Sequence, residues 1–186
     1  MPAPIEITTP RLRLRQWRES DRALYAAMNV DPEVMRYFPG TQSAETSNRS
    51  VDAWSREIEE RGWSNWAVEV LSARVFIGFI GLSVPKRDLP FMPCVEVGYR
   101  LAKDHWGKGY ATEGAKAALR IAFEALHLDE VVSFTALLNL RSRAVMERIG
   151  MVNANEDFEH PAVPVGNSLR PHCLYRITRA RWRNDD

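Results

Sequence analysis

A chain of 186 residues with 25 Lys and Arg against 24 Asp and Glu carries a formal net charge of +1 at pH 7, so no overall field draws it to nucleic acid or to an anionic membrane. Hydrophobic residues at 45% and charged residues at 26% exclude disorder and fibrous architecture, and the length suits a single domain over 1–186 whose core needs neither disulfide nor structural metal. Cys94 and Cys173 stand in apolar, strand-like contexts without CxxC spacing, which reads as two buried reduced thiols and a cytoplasmic setting. No apolar run approaches the ~20 residues that span a bilayer, and residues 1–18 lack a signal-peptide core, so a soluble, unprocessed protein is expected, monomer or homodimer.

Leu12 and Leu14 alternate with Arg11, Arg13 and Arg15, a period-two pattern that predicts a half-buried first strand ending near Trp17. Ser20 or Asp21 is placed to cap a helix carrying Leu24, Ala27 and Met28, which Asp31 and Pro32 end. A short helix over 33–37 is expected next. Pro39 and Gly40 break the chain before a longer polar helix over 43–61, with Val51, Trp54 and Ile58 on its buried face. Three β-rich runs follow, 66–71, 76–84 and 94–101, bounded by Pro85, Pro90 and Pro93, and read as consecutive antiparallel strands. A glycine-containing turn leads to a helix over 111–126, then a strand over 130–137. Asn139 opens a further helix that Gly150 terminates in the left-handed manner. The closing strands are placed at 151–158 and 172–178, around a Pro- and Gly-containing stretch at 160–171 with the length of an active-site loop. The order describes an α+β domain around one mixed sheet.

The segment Trp106-Gly107-Lys108-Gly109-Tyr110-Ala111-Thr112-Glu113 lies between a strand and a helix. Unpaired N–H groups and a partial positive charge at a helix N-terminus favour an anion there, phosphate above all. Glycines at 107 and 109 remove obstructing side chains and permit left-handed backbone angles, and Lys108 adds a charge. A P-loop requires Ser or Thr after its lysine, and here Gly109 follows Lys108; a dinucleotide fingerprint requires glycine where Thr112 stands. Neither nucleotide pattern fits. The bland alternative is a loop that only turns the chain into a helix.

With Thr9-Pro10-Arg11-Leu12, Glu96-Val97-Gly98-Tyr99 and Asn139-Leu140-Arg141-Ser142 leading to Ile149-Gly150-Met151, this string resembles the GNAT acetyltransferases, and within them the RimJ/RimL-type ribosomal-protein alanine N-acetyltransferases. The likeness spans nearly the whole chain. Trp106 replaces the Arg or Gln that opens the general signature, in a form similar to that branch's WGKGYATE. The resemblance implies a mixed, mostly antiparallel sheet of six to seven strands flanked by helices, with the strands at 95–101 and 130–137 splayed apart. It also implies acetyl-CoA as co-substrate and an amine acceptor, a small molecule or a protein N-terminus, with no metal. The backbones of Tyr99, Arg100 and Leu101 would pair with the pantetheine, the segment from Trp106 to Thr112 would hold the pyrophosphate, and Asn139 would bind on the pantetheine side. The opposing reading is a non-catalytic acyl-CoA-binding module of the same fold.

Acetyl transfer needs a neutral amine, a donor to the developing oxyanion and a proton for the departing thiolate. Ser142, one turn after Asn139, is placed by resemblance to the RimL-like enzymes to supply that proton; Asn139 and Ser142 also suit a plain helix cap and first turn. Glu96 alternates with Val95 and Val97, which makes it the candidate base, with a structural ion pair as the alternative reading. Tyr99 falls on the valine side, where core packing is expected, and contributes its backbone. Asp157, Glu159 and His160 compete as acceptor-pocket or plain surface residues, and Trp54, Trp63 and Trp66 as an aromatic wall or as core.

Overall fold

The computed structural model describes residues 3–184. Nine strands form one sheet: β1 (Ile7–Thr8), β2 (Leu12–Arg15), β3 (Asn65–Val70), β4 (Val75–Ser83), β5 (Glu96–Leu101), β6 (Glu130–Ala136), β7 (Val152–Asn153), β8 (Phe158–Glu159) and β9 (Pro171–Thr178). Their order is β1-β2-β3-β4-β5-β6-β9-β7, with β8 also on β9. The count exceeds the expected six to seven because β1, β7 and β8 are two-residue strands, too short for periodicity to register. The expected strand at 151–158 is in fact β7 and β8, separated by a turn in which Asn155 has positive φ.

Helices α1 (Glu19–Val30) and α2 (Ala44–Arg61) pack on one side of the sheet; α3 (Tyr110–Arg120), α4 (Leu140–Arg148) and α5 (Arg179–Asn184) complete the chain. The last turn after α3, Ile121–Ala125, widens to π-helix, with Leu126 N–H donating to the Ile121 carbonyl at 3.0 Å. Among the described residues no helix is long and apolar enough to cross a membrane.

The expected helix at 33–37 is instead a series of turns. Pro32 and the Pro39-Gly40 pair leave too few residues to offset helix nucleation, and the segment serves to bury Val34 and Met35. Asp21 is not the N-cap of α1 either. That position is Arg18, whose backbone N–H donates to the Asp21 carboxylate at 2.8 Å.

Asp21 is buried because it pairs with Arg15. Nη1 and Nη2 of Arg15 reach its two oxygens at 2.7 and 3.0 Å, and Nε reaches Glu69 at 3.0 Å. Burial alone would lower the Arg15 pKa; hydrogen bonds and charge from Asp21 and Glu69 outweigh it and raise it. Strand β2 is half-buried as expected over Leu12 and Leu14, with Arg13 left partly exposed beside Glu6, and Arg15 is the one outward residue that the ion pairs bury. Removing one member leaves an uncompensated buried charge, so Asp21→Ala is expected to cost about 3–5 kcal/mol in urea unfolding.

All strand pairs are antiparallel except β5 and β6, whose connection passes over the sheet through α3. That parallel pair shares one register position, Glu96 with Val132. Val132 N–H donates to Val95 at 2.9 Å and Ser133 Oγ to the Val97 carbonyl at 2.9 Å. Beyond Val97 the strands separate: β5 stays on β4 to Leu101, and β6 stays on β9 to Ala136. The expected splay is present and opens toward the N-terminus of α3.

Candidate active site

Strand β5 carries the site on both faces. Ala102 N–H donates to the Ile77 carbonyl, and hydrogen-bonded pairs alternate along an antiparallel ladder, so the backbone of Arg100 is turned to β4. The N–H and C=O groups of Tyr99 and Leu101 point the other way, into the splay. Of these, the Leu101 carbonyl already accepts from the Trp106 indole at 2.8 Å. Of the three backbones expected to pair with a ligand, Tyr99 and the Leu101 N–H face the opening, whereas Arg100 is engaged with β4 and only its side chain is free of the ladder. Trp106, in place of Arg or Gln, ties the loop to β5; Arg141 lies over its ring at 4.9 Å.

Gly107 and Gly109 adopt φ of +72° and +79°, and Gly109 is the left-handed N-cap of α3. The next helical bond runs from Glu113 N–H to the Gly109 carbonyl. Among the described residues, the backbone N–H groups of Gly107, Lys108, Gly109, Tyr110, Ala111 and Thr112 have no hydrogen-bond acceptor. A Cβ on Gly107 would meet nothing within 4 Å, so the loop is open above these donors. They form a positively polarised cradle at the start of α3. Lys108 Nζ is turned to the Asp104 carbonyl at 2.8 Å.

Arg11 supplies charge here that sequence spacing did not assign. Its Nε pairs with Glu113 at 2.6 Å, its Nη1 donates to the Lys108 carbonyl at 2.8 Å, and its Cζ lies 4.8 Å from the Tyr110 ring centroid. Glu113 also accepts from Thr9 Oγ1 at 2.6 Å and Arg11 N–H at 2.9 Å. Burial alone would raise the Glu113 carboxyl, but these bonds hold it below its ordinary range. The contacts join Thr9-Pro10-Arg11-Leu12 to the glycine string about a hundred residues later, a pairing that only the fold creates.

At the mouth of the splay, Tyr99 Oη donates to the Ser142 carbonyl at 2.9 Å and lies 3.1 Å from Ser142 Oγ. The Tyr99 side chain is therefore more than core filling. Burial raises its pKa strongly, against the Ser142 hydrogen bond, so the phenol keeps its proton. Asn139 caps α4, its Oδ1 accepting from Ser142 N–H at 3.2 Å while its Nδ2 donates to Thr135 Oγ1 at 3.0 Å. The cap fixes Ser142 beside Tyr99.

On the opposite face of β5 stand Glu96, Gly98 and Arg100. Burial pushes the Glu96 carboxyl up to about 8, with its cross-strand neighbour Ser83 opposing. Among the described residues it has no ion-pair partner, which removes the ion-pair reading.

Structural contacts account for the three tryptophans, Glu159 and His160. Trp66 is fully buried and donates to the Ile5 carbonyl; Trp54 packs on Phe79 at 4.7 Å; Trp63 stacks on Arg61 at 3.8 Å. Glu159 pairs with Arg170 at 2.7 Å. His160 is buried 4.6 Å from the His172 ring, and burial with that neighbour lowers its pKa to about 4. The stretch at 160–171 is thus fastened to itself. Cys94 and Cys173 are free; Cys173 is buried and Cys94 half-buried.

A family model described as an acetyltransferase (GNAT) domain matches residues 11–152. The FsC-acetyl coenzyme A-N(2)-transacetylase of Aspergillus fumigatus is 31% identical over 181 residues, covering 94% of this chain and 76% of that protein. YdaF of Bacillus subtilis (strain 168), named as a candidate ribosomal N-acetyltransferase, is 44% identical over 90 residues, 48% of each chain. The crystal structure of a GNAT-family acetyltransferase from Bacillus anthracis superposes with a TM-score of 0.77 at 24% identity, over 95% of this chain and 99% of that one, and so shares the fold. The splayed sheet, the cradle before α3 and these matches agree: the chain belongs to the GNAT family and is an N-acetyltransferase of it.

Proposed function

We propose that the protein transfers an acetyl group from acetyl-CoA directly to a primary amine within a ternary complex. The observation that carries this is the run of acceptor-free N–H groups from Gly107 to Thr112 at the edge of the β5/β6 opening. The cradle has the chemistry to hold a pyrophosphate, with Arg11 and Lys108 as added charge. Tyr99 and the Leu101 N–H offer an unpaired strand edge to the pantetheine amides, and the Asn139 carboxamide, through its cap, keeps α4 against that edge.

Ser142 passes a proton to the departing thiolate and is reprotonated from solvent, Tyr99 keeping its hydroxyl oriented. Glu96 takes the amine proton from the other face of β5 and returns it to solvent before the next turnover. The glycine string, Trp106 and the partial identity to YdaF support the RimJ/RimL-like reading. Two free cysteines suit a reducing cytoplasm.

The reading is tested by titrating acetyl-CoA calorimetrically and then measuring thiol release on adding primary amines. Binding with release supports it; binding without release for any amine would instead support the non-catalytic module. Ser142→Ala is expected to lower kcat about a hundredfold in the same assay, and an unchanged kcat would remove Ser142 from the chemistry.

A further inference from the structure

Two arginines lie in the half of the molecule covered by α1 and α2, Arg15 buried and Arg100 half-buried, and they differ in how their guanidiniums are paired. Arg15 spends its guanidinium on two carboxylates. Arg100 has no carboxylate partner among the described residues. Its Nη1 donates to Asn29 Oδ1 at 2.8 Å, and its Cζ lies 4.1 Å from the Phe38 ring centroid and 5.6 Å from that of Phe79. Its Nε is buried without any hydrogen-bond partner. Asn29 is fully buried and fixed by Ser47 at 3.0 Å, so the guanidinium is held from one side. The edge formed by Nε and Nη2 is left unspent, and that edge has the fork geometry that matches a carboxylate or phosphate.

A half-buried cation with a buried, orphaned donor is costly unless something pairs with it. The aromatic rings offset part of that cost and satisfy no hydrogen bond. Beside Arg100 on the same face is Gly98, where a Cβ would meet only Glu96 Oε1, at 3.8 Å. The glycine is therefore an open floor with Glu96 at one end and Arg100 at the other. The step from 98 to 100 is about 7 Å along a strand, which sets the reach between a group over Gly98 and one at Arg100.

We propose that Arg100 determines acceptor specificity, binding an anionic group carried by the amine that is acetylated over Gly98. This rests on the acetyl-transfer reading above. The anion is a carboxylate or its phosphate equivalent; its source is a small amino acid or an acidic side chain close to a peptide N-terminus. Phe38, on the turn segment between α1 and α2, covers the guanidinium, so an acceptor's anion would reach it beneath that segment.

The test compares kcat/KM by thiol release for matched pairs: ω-amino acids from glycine to 6-aminohexanoate against the alkylamines of equal length, and Ala-Glu against Ala-Gln peptides, with cadaverine as the cationic arm. The carboxylated member is expected to lead by about a hundredfold in one series, which identifies the source, and cadaverine to be poorest. Arg100→Met should bring the ratio toward one, and Arg100→Lys, which keeps charge without the fork, should restore part of it. Ratios near one in both wild-type series, or cadaverine as the best acceptor, would overturn the assignment while leaving acetyl transfer standing. Acetyl-CoA binding with no thiol release for any of these amines would sink the acetyl-transfer reading instead. In that case the N-acetylated products of the same pairs, titrated into the CoA complex, decide on Arg100: a carboxylate preference supports it and equal affinities overturn it.

Discussion

Replacing Gly109 by glutamate raises the acetyl-CoA dissociation constant by at least about a hundredfold in calorimetry, or about 2.7 kcal/mol. Three effects act together. The new carboxylate stands at the N-cap of α3, where it repels a diphosphate by up to about 4 kcal/mol per charge pair at partly screened contact distance. It also takes up the nearest cation, since a Cβ at 109 would lie 3.3 Å from Arg11 Nη2. Finally, a φ of +79° suits glycine and costs another residue about 1 kcal/mol. Gly109→Ala carries only the last of these and should weaken binding far less. Both variants should unfold cooperatively within a few degrees of the wild type, so lost affinity reports the cradle rather than the fold.

Glu96→Gln is expected to lower kcat/KM about a thousandfold, within the range of a general base. With its carboxyl pushed up to about 8 by burial, Glu96 is protonated at neutral pH and becomes a competent base as pH rises. The wild-type profile should therefore carry an enzyme limb that levels above about pH 8 in addition to the limb of the amine's own deprotonation, and the glutamine variant should keep only the amine's. Stability moves in the opposite sense. A carboxyl whose folded pKa lies above its unfolded value of about 4.3 contributes stability below that value, lost progressively as pH rises toward 8. Glutamine cannot ionise, so the variant should gain on the wild type across that interval, by roughly 4–5 kcal/mol in urea unfolding at pH 8. Losing activity while gaining alkaline stability separates a catalytic carboxylate from a packing residue.

The main helices and strands follow from periodicity and punctuation: Val51, Trp54 and Ile58 place α2, and Gly150 ends α4. What periodicity misses is short or borrowed from elsewhere. The two-residue strands β7 and β8 exist because β9 offers an edge, and the turns at 33–37 take the place of a helix because prolines confine them. Asp21 looks like a helix cap in sequence and is an ion-pair partner in the fold, since only the sheet brings Arg15 and Glu69 to it. In the site, the glycine string and Asn139 with Ser142 stand out from spacing. Arg11 and the Tyr99 hydroxyl do not, because each acts on a residue more than forty positions away. Strand alternation already places Arg100 with Glu96 and Gly98, but that its guanidinium lacks a carboxylate depends on every neighbour, and no local pattern records it.

The central claim is direct transfer from acetyl-CoA to an amine on one enzyme surface, with no acetylated residue between. Initial rates of thiol release, with acetyl-CoA and the best amine both varied, test it most directly. Intersecting double-reciprocal lines are the predicted result, as a ternary complex requires; parallel lines, or an acetylated protein accumulating when amine is withheld, would contradict it.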